Sequence, residues 1–138
     1  MDRSRALDDL VLLDSIDEAN VVALLRSRFL GGEMYTYSGA TLIATNPFKL
    51  LQRNGKSLYD ESVIDAYRGT VTYEMPPHVY AIAEAAYSSM LRYRRDQAII
   101  ISGESGAGKT EATKQCLQFI SVRAACDGGE ARGRGHAA

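Results

Sequence analysis

The sequence has little of what marks secreted, zinc-binding or membrane proteins. Its two cysteines, Cys116 and Cys126, are too few for a disulfide framework and too oddly placed for a zinc site. This usage favours a reducing intracellular compartment. No apolar run reaches membrane-spanning length, and Asp8 and Asp9 interrupt the N-terminal apolar stretch. We therefore expect neither membrane insertion nor a signal peptide.

The chain also has no marked excess of positive or negative charge. The chain carries 16 Lys and Arg against 17 Asp and Glu, for a net charge of −1. This balance gives no reason to expect nucleic acid or a membrane surface as a partner. The 138 residues amount to about one small domain, and their 46% hydrophobic content is ordinary for a soluble globular chain.

A helix is predicted near the N-terminus. Ser15 and Glu18 stand three residues apart, the spacing of a capping box in which each side chain satisfies a free backbone N–H. The apolar period continues to Leu30. Gly31 and Gly32 then favour the backbone conformation of a helix end, so the helix should stop there.

Short extended segments are predicted to follow. The stretches 35–37 and 41–45 are rich in aromatic and β-branched residues and predict two strands. Pro47 ends the second strand because proline cannot donate to a sheet. The polar stretch 48–58 is expected to be a loop, and 60–67 a short helix.

The second half of the chain has the most regular pattern. Apolar residues at steps of three and four predict an amphipathic helix over 79–91. The stretch 98–102 begins with an unbroken apolar run, which is typical of a central strand buried on both faces of a parallel sheet. A second amphipathic helix is predicted over 109–122. The Gly, Arg and Ala-rich stretch 123–138 has no apolar period and is expected to be a disordered tail.

A glycine-rich motif joins the predicted central strand to the second helix. It consists of Gly103, Glu104, Ser105, Gly106, Ala107, Gly108, Lys109 and Thr110. Its pattern is that of a phosphate-binding loop, whose glycines let successive backbone N–H groups face phosphate oxygens. Lys109 is expected to reach the β- and γ-phosphates, and the Thr110 hydroxyl to ligate Mg²⁺. The strand–loop–helix context favours this ATP site over an ordinary glycine-rich turn.

Polar residues near the motif have two interpretations each. Glu104 and Ser105 either contact phosphate or magnesium, or face solvent. Glu111 is either a catalytic group or an acid favoured by the dipole of the first helical turn. His78 is either a helix-start residue or a general base for which the sequence offers no partner.

Five segments resemble the myosin motor domain in order and approximate spacing. They begin with Asp8-Asp9-Leu10 and continue with the Tyr-Thr-Tyr-Ser-Gly of 35–39, the Asn-Pro-Phe-Lys of 46–49, the stretch 76–87 and the Gly-Glu-Ser-Gly-Ala-Gly-Lys-Thr-Glu of 103–111. The phosphate loop alone would indicate only an NTPase. The five segments together are highly specific for myosins.

The resemblance implies an α/β fold: the N-terminal part of a P-loop NTPase motor domain, with an incomplete sheet and flanking helices. It also implies the ATP-binding segment of a motor that couples hydrolysis to movement along actin. The partner, the actin filament, would bind through other parts of the head, in the cytoplasm at the actin cytoskeleton. On this basis the chain divides into a tail at 1–7, a partial motor domain at 8–122 and the tail at 123–138.

The resemblance also assigns residues to the base side of the nucleotide. In myosins the Asn-Pro turn lies against the adenine, which implies this role for Asn46, Pro47 and Lys49. A tyrosine that follows the turn helps form the purine pocket, and Tyr59 is the nearest match. An apparent insertion at 53–56 displaces it from the family's spacing, so a surface-loop tyrosine is the alternative.

Some parts of the family's machinery have no counterpart in these 138 residues. The two switch motifs that sense the γ-phosphate and position the attacking water are not found, so no catalytic residue is identified. The chain alone is therefore expected to be inactive as an ATPase. Two alternatives are another P-loop NTPase, such as a small kinase, and a truncated product without function. A small kinase usually carries its loop close to the N-terminus, which counts against the first.

Overall fold

The computed structural model describes residues 7–133. Within this range the chain forms helices α1 Glu18–Leu30, α2 Glu61–Tyr67, α3 Val79–Tyr93 and α4 Lys109–Gly133, strands β1 Tyr35–Ser38, β2 Thr41–Ala44, β3 Gln52–Arg53 and β4 Lys56–Ser57, and short 3₁₀ turns at Leu10–Leu12 and Thr72–Glu74. The described part is thus a mixture of helices and two small sheets, an α/β arrangement. None of its helices has both the length and the apolar character needed to cross a membrane.

The N-cap of helix α1 lies two residues after Ser15, the N-cap of the predicted capping box. The N-cap is Asp17, whose carboxylate accepts a hydrogen bond from the backbone N–H of Asn20 at 2.9 Å. Ser15 supports this cap by donating its hydroxyl to Asp17 at 2.9 Å. The capping box of Ser15 with Glu18 is therefore wrong, because an aspartate directly precedes the helix and supplies the acceptor. The predicted stop is confirmed: α1 ends at Leu30, and Gly31 is its C-cap.

Two antiparallel hairpins follow α1. Strands β1 and β2 pair in the register Tyr35↔Ala44 to Ser38↔Thr41, which confirms the two predicted strands. The second hairpin, β3–β4, lies inside the stretch predicted to be a loop. Its turn is Asn54-Gly55, with φ of +54° and +76°, the left-handed pair that a tight two-residue hairpin turn requires.

A cluster rich in aromatic residues forms the core between the β1–β2 hairpin, α2, α3 and α4. Its largest fully buried side chains include Tyr80, Phe119 and Ile64. The Tyr80 and Phe119 rings lie 5.1 Å apart between their centroids, which joins α3 to α4. Each such side chain stabilises the fold by about 1.5–3 kcal/mol when fully buried. The core thus fixes the start of α3 and the first half of α4 relative to β1.

Residues 98–102 do not form the predicted strand. Within residues 7–133 no strand pairs with them, and the side chain of Ile100 is 90% exposed. Ile99 and Ile101 are half-buried on the opposite side. The prediction is wrong for the described residues. A parallel strand needs neighbouring strands to which it can hydrogen-bond, and residues 7–133 supply none for 98–102.

Helix α4 is much longer than predicted. It runs to Gly133, so the expected disordered tail is wrong for 123–133, while residues 1–6 and 134–138 lie outside the described part. Arg123 explains the difference, because its guanidinium contacts buried Glu84 of α3 at 3.1 Å and pairs with Asp127 one turn further along. The Tyr87 hydroxyl also donates to Asp127 at 3.1 Å. These contacts hold α4 against α3 where the apolar period ends.

Candidate functional site

The glycine loop curls tightly before α4. Gly106 and Gly108 have φ of +79° and +97°, where any other residue would be strained. A side chain at Gly103 would bring its Cβ to 3.0 Å from the Cβ of Ala107. The Ala107 N–H closes the turn by donating to the Glu104 carbonyl at 3.2 Å. The three glycines of the motif are thus the residues that this backbone path requires.

The start of α4 has a backbone geometry that favours an anion. The helix begins at Lys109, and the Ala112 N–H donates to the Gly108 carbonyl at 2.9 Å. The first N–H groups of an α-helix have no acceptor within the helix, and they carry the positive end of its dipole. Because the loop leads directly into them, these N–H groups lie next to the glycine loop at the start of α4.

Lys109 reaches back across the loop. Its ammonium group donates to the carbonyl oxygens of Gly103 at 2.6 Å and Glu104 at 2.7 Å. Thr110 is the second residue of α4 and is exposed beside it. Glu104 and Ser105 are both exposed on the loop. The positive charge of the lysine is thus held over the loop, where it would meet a bound anion.

The Asn-Pro turn is tied to the glycine loop across 60 residues of sequence. The side-chain N–H of Asn46 donates to the Gly106 carbonyl at 2.7 Å. Its amide oxygen accepts from the Phe48 N–H at 2.9 Å, so one side chain shapes the turn and fastens it to the loop. Two segments that the sequence placed at one site are therefore in direct contact.

A cavity of about 120 Å³ opens between these two segments. Its walls include four residues expected on the base side of a nucleotide, namely Asn46, Pro47, Lys49 and Tyr59. Ala107, Gly108 and Glu111 line it from the side of the loop and α4. Lys49 is exposed, and the other three residues of the base side are partly buried. The structure thus brings the base-side residues together with only Ala107 and Gly108 of the glycine loop around one small cavity, which we call the base cavity, and Lys109 and Thr110 do not line it.

Tyr59 is held by the core despite the insertion before it. The insertion lies in the β3–β4 hairpin, and Tyr59 follows two residues after the end of β4. The Tyr59 hydroxyl lies 2.9 Å from the Tyr35 hydroxyl and 3.6 Å from the sulfur of Met34. Burial raises the pKa of Tyr59 above its ordinary value, so the phenol is neutral at physiological pH. Its ring is packed against the protein, whereas the ring of a surface-loop tyrosine would be solvated.

His78 is the N-cap of α3. Its Nδ1 accepts from the Tyr80 N–H at 3.0 Å, and its Nε2 lies 3.1 Å from the Leu58 carbonyl. These partners assign the proton to Nε2 of a neutral ring. Burial lowers the pKa of His78 to about 4. Of the two interpretations for this residue, the helix-start residue is confirmed.

Sequence reasoning missed a buried polar relay behind the base cavity. The Tyr80 hydroxyl donates to the Gln115 Oε1 at 3.1 Å, and the Gln115 Nε2 donates to Glu111 at 2.7 Å. Gln115 is only 4% exposed although the helical pattern gives no reason to bury a glutamine there. The spacing Glu111 to Gln115, four residues on one helix face, was the available signal.

Comparison with known proteins identifies the family. Residues 7–132 match the family described as the myosin head (motor domain). A protein described as the high molecular weight form of myosin-1 from Acanthamoeba castellanii is 49% identical over 125 residues, or 91% of this chain. Myosin-1 of Coprinopsis cinerea is 47% identical over the same share, and human Myosin-14 is 46% identical over 83%.

The matched region is a small part of those relatives. It covers 8% of the Acanthamoeba protein, 9% of the Coprinopsis protein and 6% of the human protein. The family match itself extends over nearly all of the described residues and includes the glycine loop, the Asn-Pro turn and the start of α4. The chain therefore belongs to the myosin head (motor domain) family.

Proposed function

We propose that this chain is the ATP-binding segment of an actin-based myosin motor, with a P-loop NTPase fold in the complete head. The observation that carries the proposal is the Asn46–Gly106 hydrogen bond of 2.7 Å, which ties a residue that lines the base cavity to the glycine loop. A nucleotide has a charged triphosphate end and an apolar base end. The glycine loop suits the triphosphate, and the base cavity suits the base. Family membership supports the same function.

The residues of the loop fit the triphosphate end. Backbone N–H groups of 103–110 and of the first turn of α4 would face phosphate oxygens. Lys109 would exchange its two carbonyl partners for phosphate oxygens as a point charge. The Thr110 hydroxyl, exposed beside it, is the group that would hold Mg²⁺, which neutralises phosphate charge when bound. Glu104 and Ser105 complete the loop.

The residues of the base cavity fit the other end. Asn46 and Pro47 would lie along the adenine, with Lys49 at the exposed rim and Tyr59 on the opposite wall. A ring packed between such surfaces loses water from both faces, which favours binding. We assign no catalytic residue in this chain, because the switch motifs of the family are not found in the sequence. Hydrolysis, actin binding and location at the cytoplasmic actin cytoskeleton belong to the complete motor.

A nucleotide titration of a complete myosin head that carries this segment tests the proposal. Lys109→Ala removes a charge together with its phosphate contacts, each worth about 1.5–3 kcal/mol, so the affinity for Mg-ATP should fall at least about tenfold. Lys56→Ala is the matched control, because Lys56 lies on the β3–β4 hairpin outside the base cavity. Equal affinities of the Lys109→Ala and unmodified heads would contradict the proposal.

A further inference from the structure

Glu111 stands on the wall of the base cavity at the end of the buried polar relay. It lies in the first turn of α4, one residue beyond the phosphate-loop motif, and lines the cavity beside Ala107 and Gly108. Its carboxylate is about half exposed, with a side-chain exposure of 52%. This residue is thus open to a ligand on one side and supported by the protein on the other.

The relay fixes the direction of the Glu111 carboxylate. Tyr80 is fully buried, and its hydroxyl donates to Gln115 Oε1 at 3.1 Å, with a longer contact of 3.4 Å to the Tyr59 carbonyl oxygen. The Gln115 amide is thereby oriented with its N–H₂ toward Glu111, where it donates at 2.7 Å to Oε1. Oε2 is the oxygen that lies 3.7 Å from exposed Lys114. A buried amide whose two ends are both used holds its partner far better than a solvated side chain would.

An ionised carboxylate only accepts hydrogen bonds. On the wall of a cavity that takes a purine ring, it favours a base edge that carries an amino group. A base with a carbonyl oxygen at the same edge would place a second acceptor against the carboxylate. The chemistry of Glu111 is therefore selective, whereas Pro47 and Tyr59 offer apolar surface to any purine ring.

We infer that Glu111 is a specificity-determining residue that accepts a hydrogen bond from the exocyclic amino group of the purine base, and that Gln115 and Tyr80 position it. This inference rests on the proposed function, because it requires a nucleotide with its phosphates on the glycine loop. It assigns to Glu111 a role in ligand recognition instead of hydrolysis or mere support of the helix start. Because the carboxylate is half exposed, we expect discrimination of about tenfold rather than the larger ratios of fully buried sites.

The test is the ratio of affinities for ATP and ITP, which differ by an amino group and a carbonyl at one position of the ring. Both are measured by competition against a fluorescent nucleotide on a complete head that carries this segment. The unmodified head should prefer ATP by about tenfold. Glu111→Gln should bring the ratio close to one, because an amide can also donate to a carbonyl oxygen. Gln115→Met, which keeps the volume but removes the relay, should lower the ratio part of the way.

Glu61→Gln is the matched control. Glu61 is an exposed acid in the first turn of α2, so Glu61→Gln loses the same charge in a first helical turn away from the base cavity. Its ratio should equal that of the unmodified head. An unchanged ratio in Glu111→Gln, even with weaker binding of both nucleotides, would place the contact on ribose or phosphate and overturn the inference. Failure of the unmodified head to bind either nucleotide would overturn the proposed function, and the inference with it.

Discussion

Two adjacent segments, 103–110 and 98–102, differ in how much of their structure this chain supplies. The glycine loop is closed by its own turn, continued by α4 and fastened to Asn46, all within the described residues. The five residues before it have no strand to pair with there, and Ile100 is 90% exposed. A binding loop can therefore be shaped by local backbone geometry and one distant contact, whereas a strand depends on neighbours along its whole length.

The largest expected effect is the complete absence of turnover in the 138-residue chain alone. Hydrolysis needs groups that orient water and stabilise charge at the γ-phosphate, which the loop does not provide. We also expect only marginal folding, because 98–102 lacks sheet neighbours. The measurements are phosphate release with Mg-ATP and thermal unfolding followed by circular dichroism. Sharp unfolding together with steady, Lys109-dependent turnover would contradict this prediction, because it would show that the chain alone supplies all that folding and hydrolysis need.

Two alanine substitutions compare the packed core with the unpaired segment 98–102 directly. Phe119→Ala removes a fully buried ring from the core and should cost about 3–5 kcal/mol of folding free energy. Ile100→Ala, at an exposed position, should stay within about 0.5 kcal/mol in the isolated chain. Far-ultraviolet circular dichroism at low temperature should therefore show lost helix only in Phe119→Ala. Similar losses in both variants would mean that 98–102 is already packed.

The distal half of α4 depends on Arg123 in this account. Arg123→Gln leaves Glu84 buried without its cation, which should cost about 3 kcal/mol and release the helix beyond it. The readout is amide hydrogen exchange over 123–133, which should become fast while the first turns of α4 stay protected. Arg26→Gln, an exposed change on α1, is the control and should alter neither region. Continued protection of 123–133 in Arg123→Gln would refute the assigned anchor.

The smallest of these effects is a pH dependence at His78. Its folded-state pKa of about 4 lies below the ordinary 6.5, so the unfolded chain takes up the proton first. Stability contributed by the neutral ring is thus present above pH 6.5 and is lost as the pH falls toward 4, by about 2 kcal/mol at pH 5. His78→Asn keeps a capping acceptor but does not titrate, so its helical signal should depend less on pH over this range. Identical pH profiles would exclude His78 as the cause.

Much of the local structure could be predicted from the sequence. The period and the glycine pair gave the end of α1, and the steps of three and four gave α3. The motif gave the loop and the start of α4 at Lys109, because the requirement for glycine and the helix start are both encoded within eight residues. The joining of the Asn-Pro turn to the loop followed only from the family resemblance, since no local pattern reports a contact across 60 residues.

The errors share a physical cause, which is dependence on partners distant in sequence. The apolar run at 98–102 has the composition of a buried strand, but composition does not supply a neighbour. The Gly, Arg and Ala-rich stretch after 122 lacks an apolar period, yet Glu84 and Tyr87 on α3 anchor it through Arg123 and Asp127. The relay through Gln115 was missed for the same reason, because Tyr80 lies 35 residues away.

The central claim is that the backbone of the glycine loop and the first turn of α4 form the phosphate cradle. Amide hydrogen exchange of a complete head, with and without Mg-ATP, tests it at the atoms concerned. We expect slower exchange over 103–110 when the nucleotide is bound, with no change at the β3–β4 hairpin turn of Asn54 and Gly55. Nucleotide binding that leaves the exchange of 103–110 unchanged would contradict the claim and place the phosphates elsewhere.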